Sequence, residues 1–554
     1  MLVVEILERR KAGIYGTCEQ LCCYTSTFDR NVVAAPKIIM GPISRLPREV
    51  SWLGLVLITS CGRSELLTLD VYVADGLPNQ VDQGGTDGEA EHSGQAAGGA
   101  TSGHPEAGSS QAEMPHMGGV GGQGHGGAPV QPSITPLAAA SFHTCALLTG
   151  GRVKCWGDNS AGQLGLGDTK LRGDEPGQMG DDLPFVDLGA GVRAVSLAVG
   201  NGHSCALLEG GQIKCWGANL QGQLGLGDVK TSRGREPGEM GDALPTVNLG
   251  AGARAVAVVA GVEHTCALLE QGTVKCWGLN ADGQLGLGDT KSRGYEPEQM
   301  GDGLPAVDLG TGARAMSISA GHMRTCAVLE DGKIKCWGLN LGGVLGLGDL
   351  ESRGDEPGEM GDALPPVDLG AGLRATAVSA GKAQICAQLD GGRIKCWGDN
   401  SDGLGLGDKQ TRGDQPGEMG DALPFVELGT GALVSRLICG GTHTCALLTD
   451  GRLKCWGDNH EAQLGLGDLE CRGDEPGEMG DDLPAVELGA NAEVTTLALG
   501  SDHSCAGLTG GTVKCWGDGF AGRLGLGDDS VRGDEPGEMG DDLPAVDLGA
   551  SLAP

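Results

Sequence analysis

Cysteine offers this chain its most legible chemistry. Fourteen of the twenty cysteines form seven pairs, each with nine residues between its members and each ending in Cys-Trp-Gly: Cys145 with Cys155, Cys205 with Cys215, Cys266 with Cys276, Cys326 with Cys336, Cys386 with Cys396, Cys445 with Cys455 and Cys505 with Cys515. Such pairs close as disulfides in an oxidising compartment, and in a reducing one they would be small buried hydrophobes. Successive second cysteines lie 60, 61, 60, 60, 59 and 60 residues apart. A period of this length means one supersecondary unit per repeat, packed against its neighbours. Cys439 and Cys471 have no counterpart in other repeats.

Aspartate and histidine recur with the same period. Asp168 follows Gly-Leu-Gly, Asp181 follows Met-Gly, and both positions are repeated seven times. Hard oxygen donors in glycine-rich loops suit calcium, but the spacing matches no calcium-binding loop, and capping of loop amides is the favoured reading. No other metal or cofactor is expected. Arg172-Gly173-Asp174 and its copies are low-information tripeptides in a solvated turn. His143, His203, His264, His443 and His503 precede Thr/Ser-Cys and read as structural hydrogen-bonders. Repeats 4 and 5 break that pattern with Met323-Arg324 and Lys382-Ala383-Gln384, so Arg324, Lys382 and Gln384 are the candidates for a ligand-facing sector, with drift on an exposed loop as the alternative.

These residues need a β scaffold to position them. His143 to Leu148 and Arg152 to Gly157 are β-prone runs around the three-residue turn Thr149-Gly150-Gly151, and the third turn position is glycine in every repeat. With that loop the two cysteines stand directly opposite. If the residues flanking the loop form a hydrogen-bonded pair, alternation makes the cysteines a non-hydrogen-bonded pair with Cα atoms roughly 4.5 to 5.5 Å apart, within disulfide reach. Leu183 to Leu188 and Arg193 to Val199 are further strand candidates. Four short strands per unit without helical periodicity predict an all-β, seven-bladed β-propeller over residues 131–549. Ile134 to Ala140 fills the slot of Arg193 to Gly200, and Leu543 to Leu548 ends the last repeat, so the last strand is expected to complete the first blade.

The segments Asn201-Gly-His-Ser-Cys-Ala-Leu-Leu and Trp216-Gly-Ala-Asn-Leu-Gln-Gly-Gln-Leu-Gly-Leu-Gly227 resemble the repeat of the regulator of chromosome condensation family across about residues 133–549. The resemblance implies a seven-bladed propeller. It also implies a family that includes exchange factors for a nuclear GTPase, chromatin binders and many members without exchange activity. This chain departs from the exchange factors, because its variable loops are copies of one acidic sequence and its cysteines pair where the family has apolar residues.

With 73 acidic against 39 basic residues, a formal charge of −34 and a pI near 4.6, the chain repels phosphate backbones. It lacks the basic stripe that a nucleic-acid binder needs, so no nucleic-acid partner is expected. Seven similar copies offer no asymmetric trio of nucleophile, base and orienting group. The expected function is therefore a non-enzymatic binding or scaffolding module for a protein or carbohydrate ligand, acting as a monomer. A lyase or hydrolase with its site at the ring centre is the alternative.

Upstream, Met40 to Arg48 is basic, Trp52 to Ile58 is apolar, and Ile58-Thr-Ser-Cys61 has the form of a bacterial lipoprotein processing site. The order predicts a signal over residues 40–61, with lipid attachment at Cys61, and residues 1–39 as the product of a misassigned start. Residues 62–130, rich in Gly, Ala, Ser, Gln and His, are too poor in large apolar groups for a core and read as a flexible tether. The protein is expected to be exported and lipid-anchored in the cell envelope, at the outer membrane or cell surface.

Overall fold

The structure is a computed structural model that describes residues 59–60, 63–64, 135–401 and 403–549. Thr59–Ser60 pairs antiparallel with Arg63–Ser64. Residues 1–39, the rest of the signal with Cys61, and the tether apart from Arg63 and Ser64 lie outside the described residues.

Residues 135–549 form seven antiparallel sheets, each from one stretch of chain. Blade 1 has the inner strand Thr135–Ala139, the middle strand His143–Leu148 and the outer strand Arg152–Gly157. The inner and middle strands then recur as Ala194–Val199 and His203–Leu208, Ala255–Ala260 and His264–Leu269, Ala315–Gly321 and Arg324–Leu329, Ala375–Ala380 and Gln384–Leu389, Val434–Cys439 and His443–Leu448, and Val494–Leu499 and His503–Leu508 in blades 2 to 7. Each inner strand packs against the inner strands of the two neighbouring blades, and Val494–Leu499 packs against Thr135–Ala139, which closes the ring. The register shifts by one residue near the start of every inner strand. Such bulges increase local twist.

The hairpin follows the sequence. Leu208 N–H donates to Gln212 O at 2.8 Å, so the pair flanking the loop is hydrogen-bonded, and Gly211 takes φ 81°, open to glycine at little cost. Cys205 stands opposite Cys215, three residues further along each strand, at a non-hydrogen-bonded pair. All seven expected pairs are closed as disulfides. Cys145 is bonded to Cys155, Cys205 to Cys215, Cys266 to Cys276, Cys326 to Cys336, Cys386 to Cys396, Cys445 to Cys455 and Cys505 to Cys515. One detail of the expectation needs correction. The Cα atoms of each pair, Cys145 and Cys155 as much as Cys505 and Cys515, are 4.1 Å apart, nearer than the spacing of an unlinked non-hydrogen-bonded pair, because the bond draws the two strands together.

Two further expectations fail. Leu183 to Leu188 is no ladder strand, although Val186 N–H donates to Val153 O at 2.8 Å. Pro184 has no N–H, and that of Leu183 turns back to Gly180 O, so the ladder cannot extend. The fourth-strand position belongs instead to the arginine of Arg-Gly-Asp. Arg172 bridges Gly157, and blade 2 lengthens this contact to the two-residue strand Ser232–Arg233. Nor does the last strand complete the first blade, whose sheet is wholly residues 135–157. Val546 N–H donates to Val513 O in blade 7, and Asp547 O accepts from Gly180, which is how every other repeat meets its neighbour.

The core lies in seven seams between blades. Cys205, Ile213 and Cys215 of blade 2 pack on Ala267, Leu269 and Trp277 of blade 3, and Cys505, Val513 and Cys515 of blade 7 pack on Ala146, Leu148 and Trp156 of blade 1. The disulfides Cys145–Cys155, Cys266–Cys276, Cys326–Cys336, Cys386–Cys396 and Cys445–Cys455 occupy the corresponding seams with Trp216, Trp337, Trp397, Trp456 and Trp516 of the next blade. Each disulfide thus fills an apolar seam beside the next blade's tryptophan, where exclusion of water rewards packing. The lysine before each second cysteine ties repeats together. Lys214 Nζ donates to Leu188 O and Gly241 O at 2.8 and 2.7 Å, and Lys154 Nζ does the same to Leu548 O and Gly180 O at 2.9 and 2.6 Å across the closure.

Candidate functional site

The first residue of each middle strand reaches toward the next blade. His203 Nε2 lies 3.0 Å from Thr265 Oγ1, and that hydroxyl donates to Gln223 O at 2.9 Å. Having donated its only proton, Thr265 can only accept, so His203 donates from Nε2, and burial keeps the ring neutral. Gly200 makes room for the ring, since a Cβ there would lie 2.2 Å from His203 Cε1. The same relay joins His143 to Ser204, His264 to Thr325, His443 to Ser504 and, across the closure, His503 to Thr144. Burial pushes these histidines down, to about 4 for His143, His264 and His443 and about 3 for His203, with His503 also well below its ordinary value. Each buried Nδ1 has no hydrogen-bond partner among the described residues.

Two junctions differ. In blade 5 the acceptor position is Ile385, and the facing blade-4 residue is Arg324. Arg324 is 2% exposed and donates to Lys382 O at 2.7 Å and to Leu339 O and Gly381 O at 3.3 Å. Gln384 is buried too, its Nε2 donating to His443 O at 3.0 Å and Thr444 Oγ1 at 3.4 Å. Neither is a ligand-facing side chain, because a guanidinium or amide that replaces the relay must satisfy buried backbone groups. Lys382 is the exposed member of the three.

The aspartates cap loops. Asp168 Oδ2 accepts from Arg172 at 2.7 Å, and its Oδ1 accepts from Asn159 Nδ2 and Lys170 N–H, both at 3.0 Å. Asp242, the counterpart of Asp181, accepts the N–H of Ala190 from the preceding repeat at 3.2 Å, and Asp181 Oδ1 sits against Gly549 across the closure. Asp168 therefore has the capping role, with arginine and N–H donors around its carboxylate, and Asp242 has it at the position equivalent to Asp181. Arg172 is engaged in the same turn, so the Arg-Gly-Asp copies present no free arginine tip.

Variation between repeats concentrates at the histidine-bearing end. The two residues before each middle strand and the residue after each Trp-Gly meet there, as when Ala218 N–H donates to Gly202 O at 2.8 Å and Asp518 N–H donates to Asp502 O at 2.9 Å. Blades 2 to 4 place Leu220 (62% exposed), Leu341 (75%), Leu279, Leu339 and Met323 on this face. Blades 5 to 7 place Asp399, Asp458, Asp502 and Asp518 there. The end of the ring is thus richer in apolar groups over blades 2 to 4 and in aspartate over blades 5 to 7, with Glu263 in the first sector and Lys382 and Phe520 in the second.

Sequence reasoning missed two asymmetric features of the acidic sector. Arg523, which stands where most repeats carry glutamine, is buried and donates to Ser141 O at 2.8 Å. It pairs with Asp518 at 2.8 Å and Asp502 at 3.6 Å, between the Phe142 and Phe520 rings. Burial raises the Asp502 carboxyl, against the pull of Arg523. The second feature is in blade 6, where Asp458, His460 and Cys471 converge. The one-residue departures from the repeat consensus at Arg523, His460 and Cys471 were the available signals. Cys439 is elsewhere, buried in the seam between blades 5 and 6 with its sulfur near Thr444 Oγ1.

Residues 188–551 match the profile of the RCC1-like domain, and residues 137–163 match that of the regulator of chromosome condensation (RCC1) repeat. The chain is 30% identical over 402 residues to the ultraviolet-B receptor UVR8 of Arabidopsis thaliana, covering 72% of this chain and 79% of the receptor. It is 29% identical over 337 residues to the human probable E3 ubiquitin-protein ligase HERC6, covering 59% of this chain but only 29% of that protein. Among solved structures, human WBSCR16 superposes with a TM-score of 0.51 at 21% identity, covering 68% of this chain and 86% of the other, a likeness of fold.

Proposed function

Since the chain belongs to the RCC1-like domain family, we propose that it is a binding or scaffolding propeller that presents its divided end to a protein or carbohydrate ligand. The observation that carries this reading is where the repeats differ. Disulfides, tryptophans, lysines and capping aspartates are duplicated around the ring, whereas the short loops at the histidine-bearing end diverge into apolar and acidic sectors. Exposed apolar groups beside charge are what recognition surfaces offer, and a relative named as a receptor is consistent with it. Nucleotide exchange and nucleic-acid binding have no part in this reading, given a formal charge of −34 and regular lysines that bind backbone carbonyls in the seams.

We also propose that the ring is exported and held at the cell envelope by a lipid on Cys61, with residues 62–130 as its tether. The signal-like order of residues 40–61 and the seven disulfides support this.

Screening the full chain against a glycan array and against exported proteins tests the binding role. A saturable ligand is expected whose affinity falls about tenfold or more in the double variant Leu220→Asp/Leu341→Asp, at unchanged melting temperature. Turnover of that ligand by the unaltered chain would replace the binder by the enzyme reading. Cys61→Ala should move the protein out of the membrane fraction, and unchanged fractionation refutes the anchor.

A further inference from the structure

We propose that Asp458, His460 and Cys471 form a binding site for one transition-metal dication of the zinc class. The three side chains offer one oxygen, one nitrogen and one sulfur within 4.8 Å of one another. Cys471 Sγ is 3.8 Å from His460 Nδ1 and 3.9 Å from Asp458 Oδ1, and Nδ1 and Oδ1 are 2.5 Å apart. Ligands at zinc-type bond lengths around a tetrahedral centre stand about 3.3–3.6 Å apart. Both sulfur edges are within a few tenths of an ångström of that range. The third edge is a hydrogen bond, and it widens when a cation displaces the shared proton, as metal binding to histidine requires. The His460 side chain is 73% exposed, so its ring can turn without disturbing the seam.

The carboxylate is already positioned. Thr442 Oγ1 donates to Asp458 Oδ2 at 2.9 Å, and His460 N–H donates to Asp458 Oδ1 at 3.0 Å. Outer partners of this kind orient metal ligands.

The other repeats serve as an internal control. Blade 1 builds the same turn with Asp158 and Ser160, the serine hydroxyl donating to Asp158 Oδ2 at 2.8 Å, and has Leu171 at the cysteine position. Blade 5 has Asp399, Ser401 and Thr411. The turn needs neither an imidazole nor a thiol, yet blade 6 acquired both, and their donor atoms converge on one carboxylate. Cys471 stands outside the seven disulfides. Sulfur and nitrogen donors select against calcium and magnesium and for zinc, cobalt or related ions. Three protein ligands leave a fourth position to water, the arrangement of an open site.

Cobalt(II) titrated into the full chain tests the site, with zinc as competitor. The expected result is a thiolate-to-cobalt charge-transfer band and tetrahedral visible bands that saturate at one equivalent and vanish on adding zinc. Cys471→Ser should abolish the charge-transfer band, His460→Ala should weaken binding by at least tenfold, and Thr442→Val should weaken it by about tenfold with the band retained. Cys439→Ser should change nothing. The three cluster variants should melt like the parent without metal, which separates ligand loss from misfolding, and Cys439→Ser is read by its cobalt spectrum alone because it lies in an apolar seam. A band that survives Cys471→Ser, or the lack of any band at stoichiometric cobalt, overturns the proposal.

Discussion

Five junctions of the ring are built one way and two another. Between blades 1 and 2, 2 and 3, 3 and 4, 6 and 7, and 7 and 1, a neutral histidine donates to a serine or threonine of the next blade. Between blades 4 and 5 and between 5 and 6, Arg324 and Gln384 donate mainly to backbone carbonyls. The relay needs a donor on one blade and an acceptor on the next, and both are lost between blades 4 and 5, whereas between blades 5 and 6 Thr444 persists and accepts from Gln384 at 3.4 Å. Ile385 cannot accept, and Arg324 bypasses it to reach the carbonyls of Gly381 and Lys382. A repeated contact in a propeller is therefore a property of the junction and not of the blade.

The largest consequence of this contrast is acid sensitivity confined to the five histidine junctions. Their histidines stay neutral in the fold down to about pH 4, whereas in the unfolded chain they protonate below 6.5. Stability is thus full above pH 6.5 and is lost as pH falls from there toward 4, by about 1.4 kcal/mol per pH unit for each histidine. Denaturant titrations across this range should show the decline. His203→Gln, which installs the residue used by blade 5, should reduce the slope by one proton, and an unchanged slope would remove the belt as its source.

Arg324→Ala should be the most costly single change at the irregular junction, at about 3 kcal/mol, since it leaves buried carbonyls without donors and opens a cavity. Lys382→Ala, on the exposed neighbour, should cost less than about 0.5 kcal/mol. Equal effects in chemical denaturation would mean that Arg324 does not tie the blades. The regular relay should also be transplantable. Arg324→His alone faces Ile385 and is destabilising, while adding Ile385→Thr should recover about 1–2 kcal/mol in a double-mutant cycle. A coupling of zero would show that the junction tolerates either solution independently.

The smallest difference concerns tryptophan. Trp216 Nε1 donates to Gln163 O at 2.9 Å, but Trp456 Nε1 has no acceptor among the described residues, because repeat 5 is one residue short in the loop that supplies it. Trp216→Phe should cost about 1 kcal/mol more than Trp456→Phe in thermal melts.

The sequence by itself determined the seven-fold period, the hairpin, its glycine-closed loop and the opposition of each cysteine pair. The period is written in the sequence as repeated copies, and the other three depend on neighbours within about a dozen residues, where alternation and turn chemistry act directly. It misjudged Leu183 to Leu188 because apolar alternation outweighed the missing Pro184 donor, and it placed Arg324 and Gln384 on the surface because a broken motif looks alike whether its residues face solvent or a seam. Only the tertiary structure decided that the arginine of Arg-Gly-Asp makes the fourth bridge, that the ring closes through the same contacts as every other junction, that histidines sixty residues apart form a belt, and that His460 and Cys471 meet on Asp458. Those outcomes depend on how blades stack around an axis. Stacking brings together positions whose separation along the chain carries no information about their distance in space, so the pairing had to be read from the packed ring.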